Sequence, residues 1–185
     1  MTDHTLYLAG PVDALEDGGA SWRDDLVDAY ADADVGFENP LDHLNAPVED
    51  VDIVLIDTDD PSEVTPDEIV ENDKEMLRES DGVLVGYSRE RQVGTPMEVM
   101  WAHERDVPVV IWVRDDTLYS ELSPWYRYHA DAVTTSRSGA VEKLRLAVDE
   151  LASPEDVFES GSSKVMPRDG GSVRSYTPRD DDPRF

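Results

Sequence analysis

The sequence predicts a doubly wound α/β fold, a parallel sheet with helices on both faces, on three observations. Three short apolar runs, Thr5–Gly10, Gly82–Tyr87 and Val107–Val113, read as strands buried on both sides. Each run is followed by a loop and then by a helical pattern. Strands that alternate with helices pack as a parallel sheet with crossover helices.

The elements follow in order. After the first strand, Ser21–Ala33 places Trp22, Leu26, Val27 and Tyr30 on one helical stripe. Val35–Glu38 reads as a weaker strand, and Asp52–Ile56 as a short strand or an apolar loop. Thr65–Ser80 opens with Thr65-Pro66-Asp67-Glu68: an N-cap, a proline at the first helical position and a capping-box Glu. Thr95–Arg105 opens the same way, with Thr95-Pro96-Met97-Glu98. Ala132–Thr134 is a second weak strand, and Ser138–Leu151 carries Val141, Leu144, Val148 and Leu151 at helical spacing. Residues 1–153 form one domain of a length that can bury a real core. Residues 154–185 turn to Gly, Ser, Pro, Asp and Arg, with Pro167-Arg168-Asp169 echoed by Pro178-Arg179-Asp180. They read as a tail, mobile in isolation or docked on a neighbouring subunit.

Charge excludes several functions. The 185 residues hold 43 Asp or Glu against 16 Lys or Arg, a net charge of −27. No basic surface exists to release counterions from a nucleic-acid polymer or to dock on anionic lipid. A disordered acidic chain is ruled out by core segments such as Val109-Val110-Ile111-Trp112-Val113. The acids are spread along the whole chain, and only Lys74, Lys143 and Lys164 are lysines. This reads as surface adaptation to high salt, where screening mutes self-repulsion, with a patch for a cationic partner as the alternative. No apolar run approaches the roughly 20 residues of a membrane span, and no signal peptide is visible. Without cysteine there is no thiolate chemistry, and a cytoplasmic location is the simplest expectation.

In such sheets ligands sit at the carboxyl ends of the strands, which points to the loops Ala9–Gly19, Tyr87–Thr95 and Arg114–Trp125. The first is neither a dinucleotide fingerprint nor a P-loop, and its acids Asp13, Glu16 and Asp17 would repel a phosphate. Two acids stand out. Asp73 shares a helical stripe with Ile69, Met76 and Leu77, so it is either paired and used there or solvated at the stripe's edge. Glu98 lies in the first turn after a central strand, as a working carboxylate or simply as the capping-box partner of Thr95. Tyr7, near the end of the first strand, would meet Glu98 if the first and third strands are neighbours, and would then orient that carboxylate and tune its pKa. His4, His43, His103 and His129 lack metal-ligand spacing, the Asp57–Asp60 cluster lacks the features of a calcium loop, and no serine nucleophile elbow occurs.

Four segments in this order and spacing resemble the nucleoside 2-deoxyribosyltransferase family over about residues 5–135. They are Tyr7-Leu8-Ala9-Gly10-Pro11; Ile69-Val70-Glu71-Asn72-Asp73 leading to Ser80-Asp81-Gly82-Val83-Leu84-Val85; Gly94-Thr95-Pro96-Met97-Glu98-Val99; and Pro108-Val109-Val110. The family includes related N-glycosidases of nucleosides and nucleoside monophosphates. The resemblance implies a flavodoxin-like fold, no cofactor or metal, and cleavage of the bond between a base and C1′ of a deoxyribose. It places the nucleophile on Glu98, the sugar-holding acid on Asp73 and the orienting tyrosine on Tyr7, with Ala9, Gly10, Ser88, Gln92 and Gly94 lining the substrate pocket. It implies a homodimer or larger assembly in which a neighbour completes the sugar site, here with Ser123, while Trp125 stacks on a base or fills the interface. Two departures matter. Gln92 stands where some transferases carry an Asp that helps protonate the base, and an amide is not an acid. Gly10-Pro11-Val12-Asp13 departs from the phosphate loop of the monophosphate-cleaving branch, although Arg89 and Arg91 could reach a phosphate. The readings are therefore a transferase, a hydrolase of the same bond acting on nucleosides or nucleoside 5′-monophosphates, and a non-catalytic nucleoside- or nucleotide-sensing module.

Overall fold

The computed structural model describes residues 4–12, 17–44, 52–53 and 63–152. Their order is β1 (His4–Ala9), α1 (Ala20–Ala29), β2 (Val35–Glu38), a 3-10 turn (Pro40–His43), β3 (Asp52–Ile53), β4 (Glu63–Val64), α2 (Pro66–Glu79) and β5 (Gly82–Tyr87). There follow α3 (Gly94–His103), β6 (Val109–Val113), a 3-10 helix (Asp116–Glu121), α4 (Pro124–His129), β7 (Ala132–Thr134) and α5 (Arg137–Ala152). Five strands form one wholly parallel sheet in the order β2-β1-β5-β6-β7. β5 is the third strand of this sheet in chain order and lies beside β1, so chain direction switches between them. That is the flavodoxin-like arrangement, with its ligand crevice at the switch.

Strand alternation sorts the core into two layers. Tyr7, Ala9, Val83 and Val85 face one side, where Met76 and Leu77 of α2, Val99 and Ala102 of α3, and Tyr126 of α4 cover them. Leu6, Leu8, Leu84 and Val110 face the other, under Trp22 and Leu26 of α1 and Ala140, Val141 and Leu144 of α5. Tyr7 therefore points toward the two helices that carry Asp73 and Glu98. Two aspartates pin the starts of strands: Asp81 accepts from the Thr5 amide and Asp131 from the Val109 amide, both at 2.8 Å.

Several sequence expectations shift. The first helix ends at Ala29 rather than Ala33, and its inner face holds Trp22, Arg23 and Leu26, while Val27 turns outward. The third apolar strand begins at Val109, and Leu151 at the end of α5 is exposed. Asp52–Ile53 pairs with Glu63–Val64 as a separate two-stranded sheet. The Arg114–Trp125 loop folds largely into the second 3-10 helix and the start of α4. The 154–185 tail and the Asp57–Asp60 cluster lie outside the described residues. Among the described residues, no helix is long and apolar enough to cross a membrane.

Candidate active site

The switch point brings three acidic or phenolic groups together from three elements. The Tyr7 hydroxyl, on β1, donates to Glu98 Oε1 on α3 at 2.9 Å. Glu98 Oε2 is buried and, among the described residues, has no hydrogen-bond partner. Asp73, midway along α2, is half-buried and acts electrostatically on both. Burial, and then the charge of Asp73, push the Glu98 carboxyl up to about 7; the Tyr7 hydrogen bond and Arg23 oppose this. Burial also raises Asp73, against the pull of the Tyr7 hydroxyl, His43 and Arg23. Burial, then the two carboxylates, drive the Tyr7 phenol far above its ordinary value, so Tyr7 stays a donor.

The two capping-box sequences part company here. Thr65 and Glu68 form the reciprocal box, with Glu68 accepting from the Thr65 amide at 2.7 Å. The Thr95 look-alike does not. The α3 helix already starts at Gly94, Thr95 is buried within its first turn, and no side chain caps the end. Glu98 therefore sits in the second turn, and its carboxylate turns inward to Tyr7. Asp73 is half-buried, between the buried Met76 and Leu77 and the solvated face of the helix.

A second set of groups frames the cluster. Gln92, on the loop after β5, donates from Nε2 to the Ser88 carbonyl at 2.9 Å and accepts at Oε1 from the Tyr126 hydroxyl at 3.2 Å. Tyr126 packs edge-on against Tyr87 with ring centroids 5.3 Å apart. Burial, then Tyr87 and Glu98, raise the Tyr126 phenol above its ordinary value. Ala9 and Gly10 are buried at the end of β1, and Gly94 opens α3 with free space around it. A side chain at Gly10 would meet the Trp22 ring at 2.8 Å, so glycine there lets α1 close on the strand ends.

Ser123 and Trp125 are not joined to this cluster. The Ser123 hydroxyl caps α4 by accepting from the Trp125 amide at 3.1 Å. Trp125 is 71% exposed and stacks on His129. Arg89 pairs with Glu121 across the surface at 3.1 Å, and Arg91 is exposed. Sequence reasoning missed Tyr126 and Arg23. Tyr126 lies just past the Arg114–Trp125 loop, in a six-residue helix that the sequence pattern did not show. Arg23 was legible as a stripe position, three residues before Leu26, but its charge argued for solvent. Among the described residues, no group of three or more His, Asp or Glu is placed to hold a metal ion.

Comparison of the fold returns solved proteins. One is a conserved protein from Enterococcus faecalis V583, at 16% identity and TM-score 0.54, covering 77% of this chain and 98% of that one. A second is a 2-deoxyribosyltransferase from Bacillus psychrosaccharolyticus, at 13% identity and TM-score 0.54, covering 73% and 88%. A third is a 2-deoxyribosyltransferase from Leishmania mexicana, at 17% identity and TM-score 0.50, covering 79% and 97%. The chain has the fold of the 2-deoxyribosyltransferases. No protein-family profile and no curated protein sequence matches it.

Proposed function

We propose that the protein cleaves the N-glycosidic bond of a 2′-deoxynucleoside through an ester of deoxyribose on Glu98, and passes the sugar to a second base. The observation that carries this reading is the asymmetry of one carboxylate: Oε1 is held by Tyr7, while Oε2 is buried and has no hydrogen-bond partner among the described residues. An Oε2 lone pair forms the bond to C1′ as the C1′–N bond breaks, and the bonding electrons leave with the base, which takes a proton from water. The ring nitrogen of an incoming base then displaces Glu98 from C1′ and gives up its proton to the hydroxide left by the first step, and the carboxylate is restored.

The neighbours suit that chemistry. The transition state is oxocarbenium-like, and the charges of Glu98 and Asp73 stabilise it. Asp73 also offers acceptors for the sugar hydroxyls. Tyr7 keeps one Glu98 oxygen fixed, so attack is confined to the other. Gln92 has both amide ends anchored, at Ser88 and Tyr126, which orients its remaining donor and acceptor capacity toward a base edge. It cannot act as an acid, so water is the proton source. The fold shared with two 2-deoxyribosyltransferases supports the same assignment. Assembly of like subunits belongs to this reading. Met97 of α3 and Trp125 and Tyr128 of α4 are 62%, 71% and 57% exposed and give a second copy an apolar surface to seat on.

Incubation with a deoxynucleoside and a different free base, in concentrated salt, tests the reading by chromatography. A new nucleoside is the expected product. Free base without exchange reassigns the protein as a hydrolase of the same bond, and binding without turnover makes it a sensing module.

A further inference from the structure

Arg23 has 0% exposure, which is rare for a guanidinium, and among the described residues it forms no ion pair. Four of its five N–H donors go instead to backbone. Nε reaches the Leu8 carbonyl at 3.3 Å, Nη2 the Gly10 carbonyl at 3.2 Å, and Nη1 the Gly18 and Gly19 carbonyls at 3.3 and 3.0 Å. Gly18 and Gly19 both adopt left-handed backbone, at φ of 60° and 76°, which aims those carbonyls inward. A side chain at Gly19 would come within 2.7 Å of Nη1, so the glycine also makes room for the guanidinium. The Trp22 ring lies 4.5 Å from the cation.

A buried cation normally recruits a carboxylate at contact distance, because desolvation is costly otherwise. Here the anions that answer it are one layer away. Glu98 is the strongest opposite charge acting on Arg23, and Arg23 in turn favours the ionised forms of both Glu98 and Asp73. We propose that Arg23 is a positioning residue of this site: it clamps the ends of the loop that follows β1 and supplies a fixed buried cation to the Glu98–Asp73 pair. This rests on the assignment of Glu98 as the nucleophile. Without the cation both carboxyls would rise further, and Glu98, already pushed up to about 7, would be protonated over more of the neutral range. The other groups bearing on this balance are Tyr7 from β1, His43 from the first 3-10 turn, Tyr126 from α4, and Arg114 and Asp17 through Arg23.

The test uses the full chain and two variants, Arg23→Met and Arg23→Lys. Glu98 is titrated directly by carboxyl-carbon NMR, as the signal lost in Glu98→Gln, beside the pH profile of kcat/KM. In Arg23→Met the Glu98 midpoint and the acid limb should both move up by about 1 pH unit. Arg23→Lys keeps the charge but not the fork, so its midpoint should stay at the wild-type value while kcat falls. A folded Arg23→Met protein with an unmoved Glu98 midpoint overturns the proposal. If Arg23→Met does not fold, Arg23→Lys decides: an unmoved midpoint with reduced kcat supports it, and a raised midpoint or an unchanged kcat overturns it. Because the NMR titration needs no turnover, a protein inactive on every deoxynucleoside would refute the nucleophile assignment and still report whether Arg23 lowers the Glu98 midpoint.

Discussion

Replacing the proposed nucleophile should make the protein more stable. The Glu98 carboxyl rises from an ordinary 4.5 to about 7 in the folded chain, chiefly through burial. An acid whose folded pKa is raised favours folding only while it holds its proton. Its penalty begins as pH climbs past the unfolded value and is complete above the folded one. The gap of about 2.5 pH units, at about 1.36 kcal/mol each, makes the ionised carboxylate cost about 3 kcal/mol at pH 8. Glu98→Gln removes that cost, and its amide oxygen still accepts from Tyr7. The assay is guanidinium unfolding of both proteins at pH 8 and pH 5, at matched ionic strength. The variant should be more stable by about 3 kcal/mol at pH 8 and by about 1 kcal/mol or less at pH 5, and inactive at both. A variant that is less stable than wild type at pH 8, or a difference that does not change with pH, would refute the view of Glu98 as a buried charge held ready against its own solvation.

Three further variants test the neighbours. Tyr7→Phe removes the hydrogen bond that lowers the Glu98 midpoint, so the acid limb of kcat/KM should move up and kcat should fall roughly 10- to 100-fold, the worth of a charge-assisted bond. Asp73→Asn removes the charge that raises it, so the acid limb should move down while KM for the deoxynucleoside rises; a shift in the same direction as Tyr7→Phe would break the assigned roles. Trp125→Glu places a charge on the exposed face of α4 and should yield a smaller species by light scattering in concentrated salt, with Glu98 chemistry impaired only through loss of the neighbour.

Much of this was legible in the sequence because parallel strands and their crossovers leave simple traces. The runs at Thr5–Gly10 and Gly82–Tyr87 could only be central strands, and a helix after each had to cover them. Tyr7, Asp73 and Glu98 were found by position as well as by resemblance, and the alternation of β1 explains why they meet: Tyr7 faces the layer built from α2 and α3. The limits were local. Thr65-Pro66-Asp67-Glu68 and Thr95-Pro96-Met97-Glu98 have the same spacing, but a helix that starts two residues earlier turns the second Glu from a cap into an inward acid. That difference depends on the packing of Thr95, which no four-residue pattern records. Arg23 was hidden by its charge, since nothing local announces four carbonyls waiting around a buried guanidinium. Tyr126 was hidden because six-residue helices such as α4 have too few turns to show a period.

The most direct test of the account is to trap the sugar on the enzyme. Wild-type protein mixed with a deoxynucleoside is quenched in acid during turnover, and intact-mass spectrometry and peptide mapping follow. The account predicts a mass increase of one deoxyribosyl group, carried by the peptide containing Glu98 and absent from Glu98→Gln. Turnover under the same conditions with no adduct, or an adduct on any residue other than Glu98, would contradict it.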